Sequence, residues 1–172
     1  MTEMIPFEAY HPMMTEHVQL NWLTAYPLKD IYALRSNTEI AQQNDREPDH
    51  DMKETAYYIN HTMQTIMANQ ALTWGFSQRT THQFIGLIEL ADFMAERTQA
   101  TLHYEMSLDR QNTEELNELF QYVVAFAQRE LNLKQLSITL SADDHLAASI
   151  LATLGFKQLA VTNDNVQLQW QQ

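Results

Sequence analysis

The sequence predicts an α/β fold (α+β in type), with helices covering both faces of a mixed, mostly antiparallel sheet. Three observations carry this. Short segments with alternating or nearly continuous apolar residues recur along the chain at strand length. One long segment, residues 113–131, instead carries an apolar stripe of helical period (Leu116, Leu119, Phe120, Val123, Val124, Ala127). Between the apolar segments 83–91 and 100–107 lies only the short polar stretch Asp92 to Gln99, which suits an antiparallel hairpin.

The elements follow in order. Residues 17–23 alternate, with Val18, Leu20 and Trp22 on one face, and read as a strand. Pro27 opens a short helix through Arg35, since proline is tolerated in a first turn. Residues 42–53 are rich in charge and contain Pro48, and read as a loop. A second helix spans about 53–69, with Ala56, Ile59, Met63, Ile66 and Met67 at helical spacing. Strands follow at about 71–78 and 83–91, turned by Thr80, Thr81 and His82, and a third at about 100–107. The stretch Phe84 to Leu90 is almost continuously apolar, as a central strand should be. Asn112 is placed to cap the long helix, with Glu115 completing a capping-box pattern. A strand at 135–141, a helix at 144–154 stopped by Gly155, and strands at 156–161 and 165–171 close the chain. The order is βααβββαβαββ.

Composition narrows the function. The 172 residues suit one domain, 1–172, with no room for a second of ordinary size. There is no cysteine, so thiolate metal sites, disulfides and cysteine nucleophiles are excluded. The 22 acidic against 10 basic residues give a net charge of −12, which argues against a nucleic-acid partner and permits a basic one. No apolar run is long enough to span a bilayer, and the N-terminus lacks the basic start of a signal peptide. A cytoplasmic protein with no membrane partner is expected. Asp49-His50-Asp51 could suggest a metal, but adjacent residues do not converge on one ion in regular structure, and no metal is expected.

Five segments, in order and spacing, carry a family resemblance: Glu16 to Leu23, Leu34-Arg35-Ser36-Asn37-Thr38-Glu39-Ile40, Phe84-Ile85-Gly86-Leu87-Ile88-Glu89-Leu90, Leu102-His103-Tyr104-Glu105-Met106 and Leu154-Gly155-Phe156-Lys157. Together they resemble the GNAT N-acetyltransferases, and most closely the branch that acetylates ribosomal-protein N-termini. The resemblance implies a sheet of about seven strands with about four helices in the usual α/β layering. It also implies acetyl-CoA as co-substrate, lying between two splayed strands with its pyrophosphate on a helix N-terminus. The acceptor would be a small-molecule or peptide amine. The implied co-substrate contacts are Met106, Ser107, Leu108, Arg110, Gln111, Asn112, Thr113, Glu114 and Asp144.

The chain departs from the family pattern at that helix start. Seven residues after Tyr104 comes Gln111, which fits the family's Q/R-x-x-G-x-G/A, but Glu114 and Leu116 stand where the glycines belong. Glycine lets phosphate approach the backbone, whereas Glu114 adds a side chain and a negative charge. Arg110 is the one nearby cation that could compensate. Before Leu154-Gly155-Phe156, Asp144 occupies the family's Asn position, Ala147 its Ser/Ala position, and Leu151 the place of a tyrosine that often protonates the leaving thiolate.

Glu105 and Glu89, on neighbouring central strands, are candidate general bases, with burial expected to raise a carboxyl into a useful range. His103, where the family usually has glycine, could be a base but reads first as a strand histidine with a local hydrogen bond. The methionines read as core filler that could also line a groove between the first two helices. Three readings remain open from sequence: an N-acetyltransferase, an inactive GNAT-fold binding module, and a domain that binds peptide at the open sheet edge. The acceptor and the oligomeric state, a homodimer included, are not readable.

Overall fold

The structure, a computed structural model, describes residues 4–110 and 112–172, with the side chain of Arg110 outside the description. Eight strands form one sheet: β1 (Met13–Met14), β2 (Val18–Asn21), β3 (Leu72–Gln78), β4 (Phe84–Met94), β5 (Gln99–Met106), β6 (Gln135–Ser141), β7 (Lys157–Val161) and β8 (Asn165–Gln171). Their spatial order is β1-β2-β3-β4-β5-β6-β8-β7. Every neighbouring pair is antiparallel except β5–β6. Among the described residues, five α-helices accompany the sheet: α1 (Leu28–Arg35), α2 (Thr38–Gln43), α3 (Met52–Met67), α4 (Thr113–Arg129) and α5 (His145–Thr153).

Two elements exceed the sequence expectation. The two-residue β1 is too short to show a period. The six-residue α2 lies where the sequence predicts a helix running into a loop. It forms because Asn37 caps it, its side chain accepting from the Ile40 amide at 2.9 Å, while Ile40 and Ala41 are buried. The hairpin over Asp92 to Gln99 is present, with Gly86 opposite Met106 and Leu90 opposite Leu102.

Leu87 and Ile88 are adjacent on β4 yet belong to different apolar clusters, so the sheet is covered on both faces. Leu87 packs with Leu23, Ile31, Leu34, Ile40 and Ile59 from the α1–α3 side. Ile88 packs with Trp74 and with Leu116, Leu119, Phe120 and Val123 of α4. Gly86 sits where a Cβ would come within 2.1 Å of the Glu105 carbonyl oxygen, so β4 and β5 can approach only with glycine there. Gly155, at φ +98°, ends α5: its amide donates to the Ala152 carbonyl and the Phe156 amide to that of Leu151.

The capping box does not close. Asn112 caps α4, accepting from the amides of Glu114 (2.9 Å) and Glu115 (3.4 Å). Glu115 does not reach back: it is buried and accepts from the side-chain amide of Gln78 at 3.1 Å. Met63 packs in the core while Met14 and Met67 are exposed, so these methionines do not line the cleft described below.

Candidate active site

β5 and β6 pair in parallel only over Gln99–Thr101 and Gln135–Ser137. Beyond Thr101 the two strands separate, and Leu102 to Met106 have no partner strand on the β6 side. A cleft of about 270 Å³ occupies the gap. It is walled by Tyr104, Glu105 and Met106 of β5, Thr139 to Ser141 of β6, the start of α5, and Ile40, Gln43 and Asn44 from α2.

Glu105 lines this cleft and is 2% exposed. Arg46 donates to its Oε1 from Nε at 2.7 Å. Arg35 Nη1 lies 4.0 Å and His103 Nε2 3.6 Å from Oε2. Burial alone would raise this carboxyl, but His103 and the charge of Arg46 outweigh it and hold the pKa below its ordinary value. The expectation that burial raises it is therefore corrected: the imidazole of His103 and the guanidinium of Arg46 hold a desolvated carboxyl as the anion.

The cage extends away from the cleft. Arg35 makes a bidentate pair with buried Asp49 at 2.8 and 3.2 Å and stacks over Tyr58, its guanidinium carbon 3.5 Å from the ring centre. Thr55 donates to the same carboxylate at 2.7 Å. Arg46 also donates to the Arg35 carbonyl at 2.9 Å, so α1, the segment after α2, and β5 are clamped together. Asp49, His50 and Asp51 go to three separate tasks: pairing Arg35, contacting Glu54, and capping α3. Among the described residues, the one group that brings three ligand-type side chains together is Glu16, His17 and Glu118, away from the cleft.

Glu89 does not line the cleft. It lies opposite His103 across β4–β5 and accepts from Thr73 Oγ1 at 2.6 Å. Burial, followed by the nearby Glu89 charge, raises the Tyr58 phenol above its ordinary value.

The expected co-substrate residues divide. Met106 and Asp144 line the cleft. Asp144 caps α5 through the Ala147 amide at 3.2 Å and accepts the hydroxyl of Tyr104 with its other oxygen. Tyr104 thus bridges from β5 to α5, and burial together with the Asp144 charge raises its pKa. Ser107 continues the pairing with β4 through the Ile85 carbonyl, and Leu108 packs toward the α1–α3 cluster. Asn112, Thr113 and Glu114 form the exposed start of α4. Gln111 and the Arg110 side chain lie outside the described residues. Leu116 is buried in the core, as are Ala147 and Leu151.

Sequence reading missed Arg35, Arg46, Asp49 and Tyr104 as partners. The usable signal was Glu105 itself: a carboxylate inside an apolar strand needs a cation, and Arg35 and Arg46 flank the segment that α2 folds onto it.

A second groove of about 650 Å³ shares Gln43, Ser141 and Asp143 with the cleft. Glu39, Asp45, Asp143 and Asp164 line it, with no Lys or Arg among its described lining residues. Among the described residues, no helix is long and apolar enough to cross a membrane.

The sequence model of the acetyltransferase (GNAT) domain matches residues 17–157. No curated protein is significantly similar in sequence. Solved structures share the fold. Spermidine N-acetyltransferase from Vibrio cholerae, in complex with CoA and spermine, has a TM-score of 0.77 at 18% identity, over 92% of this chain and 97% of that one. Ribosomal-protein-S5-alanine acetyltransferase from Vibrio fischeri has 0.76 at 14% identity, over 94% and 96%. The microcin C7 self-immunity acetyltransferase MccE, in complex with acetyl-CoA and AMP, has 0.69 at 15% identity, over 92% and 94%.

Proposed function

Because the chain belongs to the GNAT acetyltransferase family, we propose that it acts as a single domain that transfers the acetyl group of acetyl-CoA to an amine, of a small molecule or a peptide N-terminus. The splay of β5 from β6 beyond Thr101 carries this reading, because it leaves an unpaired strand edge facing a cleft. Such an edge offers backbone hydrogen bonds to an amide-bearing pantetheine arm. Bound there, acetyl-CoA would supply the thioester for the amine to attack. Met106 and Asp144 would flank it, with Ser107, Leu108 and the start of α4 beyond.

The acceptor arrives as a cation. The acidic groove that shares residues with the cleft would raise its local concentration and steer it inward. Within the cleft, the Glu105 carboxylate is the group placed to receive an ammonium proton.

The start of α4 fits a pyrophosphate less well. Asn112 already occupies two of the amides that such a helix would offer to phosphate, and the Glu114 carboxylate stands beside them. That observation favours a second reading, a GNAT-fold binding module without transfer. Calorimetric titration of acetyl-CoA, followed by thiol release with spermidine and with a short free-N-terminus peptide, separates the two. The transferase binds acetyl-CoA and releases CoA only when an amine is present. Absence of acetyl-CoA binding would leave the module.

A further inference from the structure

Glu105 lines the cleft, yet its side chain is only 1% exposed. Once the acceptor and co-substrate fill the cleft, a proton collected there has no direct path to water. Overall, acetylating an ammonium group removes two protons from nitrogen: one ends on the CoA thiol and one must reach solvent. Something beside Glu105 has to carry the second.

Four neighbours are candidates. Arg46 and Arg35 stay charged and cannot pass a proton on. Tyr104, the preceding residue on β5, already donates its hydroxyl to Asp144. His103 remains. It stands two residues before Glu105 on the same face of β5, its Nε2 is 3.6 Å from Glu105 Oε2, and its side chain is 38% exposed. Its other charged neighbour is Glu89, opposite it on β4. Arg46 engages Oε1 at 2.7 Å, which leaves Oε2 as the oxygen turned to the imidazole. The gap of 3.6 Å is just beyond hydrogen-bond length and closes with a small side-chain rotation.

We propose that His103 is the proton outlet of the cleft, carrying the proton that Glu105 takes from the acceptor ammonium out to solvent. The inference rests on the acetyl-transfer reading above. In sequence, the ammonium N–H bond breaks as the proton moves to Glu105 Oε2, and the neutral amine becomes the nucleophile. The proton then passes to His103 Nε2, restoring the carboxylate, and the imidazolium releases it to water. No oxidant or other co-reactant is needed. The fixed anion of Glu105 suits this role, since it holds a proton only in passing. His103 touches no substrate and acts through Glu105.

Two measurements test it. The first is acetyl transfer to spermidine, or to the free-N-terminus peptide if only that is accepted. His103→Ala should lower kcat about tenfold, less than the roughly hundredfold or more of a group that meets the reacting proton directly, because it acts through Glu105, with the KM for acetyl-CoA unchanged, and added imidazole should restore much of the loss. A merely structural role would not be rescued. Undiminished kcat, or a loss that imidazole leaves untouched, overturns the proposal. The second needs no turnover: the side-chain nitrogen resonances of His103 should move in Glu105→Gln if the two groups share a proton. Unmoved resonances overturn the outlet even if the wild type acetylates neither probe, a result that would separately sink the transferase reading. Arg46→Lys serves as a milder perturbation of Glu105 if Glu105→Gln fails to fold, with the same resonances read.

Discussion

At the β5 wall of the cleft, Glu105 is 2% exposed and faces two guanidinium groups. At the start of α4, Glu114 stands in solvent with its carboxylate 3.9 Å from His17. The two acids sit at opposite ends of the proposed co-substrate path and obey different physics. In the wall, desolvation makes every charge depend on its partner, so the anion is held by structure. At the helix start, water screens the charge, and what counts is whether it repels an incoming phosphate. The contrast implies that changes in the wall should act on stability, and changes at the helix start on binding.

The largest effect should come from Arg46→Ala. It strips Glu105 of its 2.7 Å partner and releases the segment after α2 from α1. Breaking one side of a buried pair costs about 4 kcal/mol, measurable by urea denaturation. Acid sharpens the test. The folded pKa of Glu105 is lowered, so its contribution to stability is present above the ordinary value of 4.5 and is lost as pH falls through the folded value. Glu105→Gln should flatten the acid limb of the stability curve. An unchanged limb would mean that the cage does not hold the anion.

Leu116→Ala comes next. The family pattern places a small residue here, as though the side chain blocked phosphate. The structure instead buries Leu116 in the α4 core stripe at 1% exposure. Truncation should therefore cost about 3 kcal/mol and leave acetyl-CoA affinity where it was. A tighter complex without destabilisation would move Leu116 from the core to the phosphate path.

These two sites also show what was legible. Every strand but β1, together with α4, the β4–β5 hairpin and the stop at Gly155, follows from periodicity and from single residues with local consequences, such as the positive φ at Gly155. Asn112 as a cap was equally local. The cage was not legible because its bonds run between residues far apart in sequence, Arg46 to Glu105 and Arg35 to Asp49, across a helix, α2, too short to show a period. The pKa of Glu105 is not legible for the same reason: burial can be read from an apolar strand, but the partners that reverse its effect cannot. Glu89 looked equivalent to Glu105 in sequence, and the register separates them, one beside Thr73 and the other at the cleft.

Glu114→Gln should have a smaller effect, on binding alone. A carboxylate about 4 Å from a phosphate charge costs on the order of 1 kcal/mol in water, and Glu114 is mostly solvated with His17 nearby. Its removal should tighten acetyl-CoA by up to about fivefold, since 1.4 kcal/mol is tenfold. The gain should shrink at high salt. No gain at low salt would place the pyrophosphate elsewhere than on α4.

The smallest expected effect is at His17. Its ring Nδ1 meets Glu118 Oε1 at 2.6 Å and lies 3.9 Å from Glu114 Oε1, while Glu16 Oε1 is 4.0 Å from Nε2. The Glu118 hydrogen bond is the main cause of a pKa raised above the ordinary 6.5, and the surrounding carboxylates add to it against a partly opposing desolvation. The sign follows from linkage. A raised folded pKa means that the clip's contribution is fully present below 6.5 and is lost as pH climbs through the folded value. The wild type should therefore lose a little thermal stability between about pH 6 and about pH 8, in the range where histidines titrate. His17→Gln should lose none of it there. The clip is partly solvent-exposed, so salt should shrink the difference. The same titration reaches the helix start: protonated His17 offsets Glu114, so acetyl-CoA should bind more tightly at the acid end in the wild type than in His17→Gln. The co-substrate's own phosphates titrate alike with both proteins, so the difference between the two curves isolates His17. Parallel curves would show that the clip ties β2 to α4 without tuning the phosphate end of the cleft.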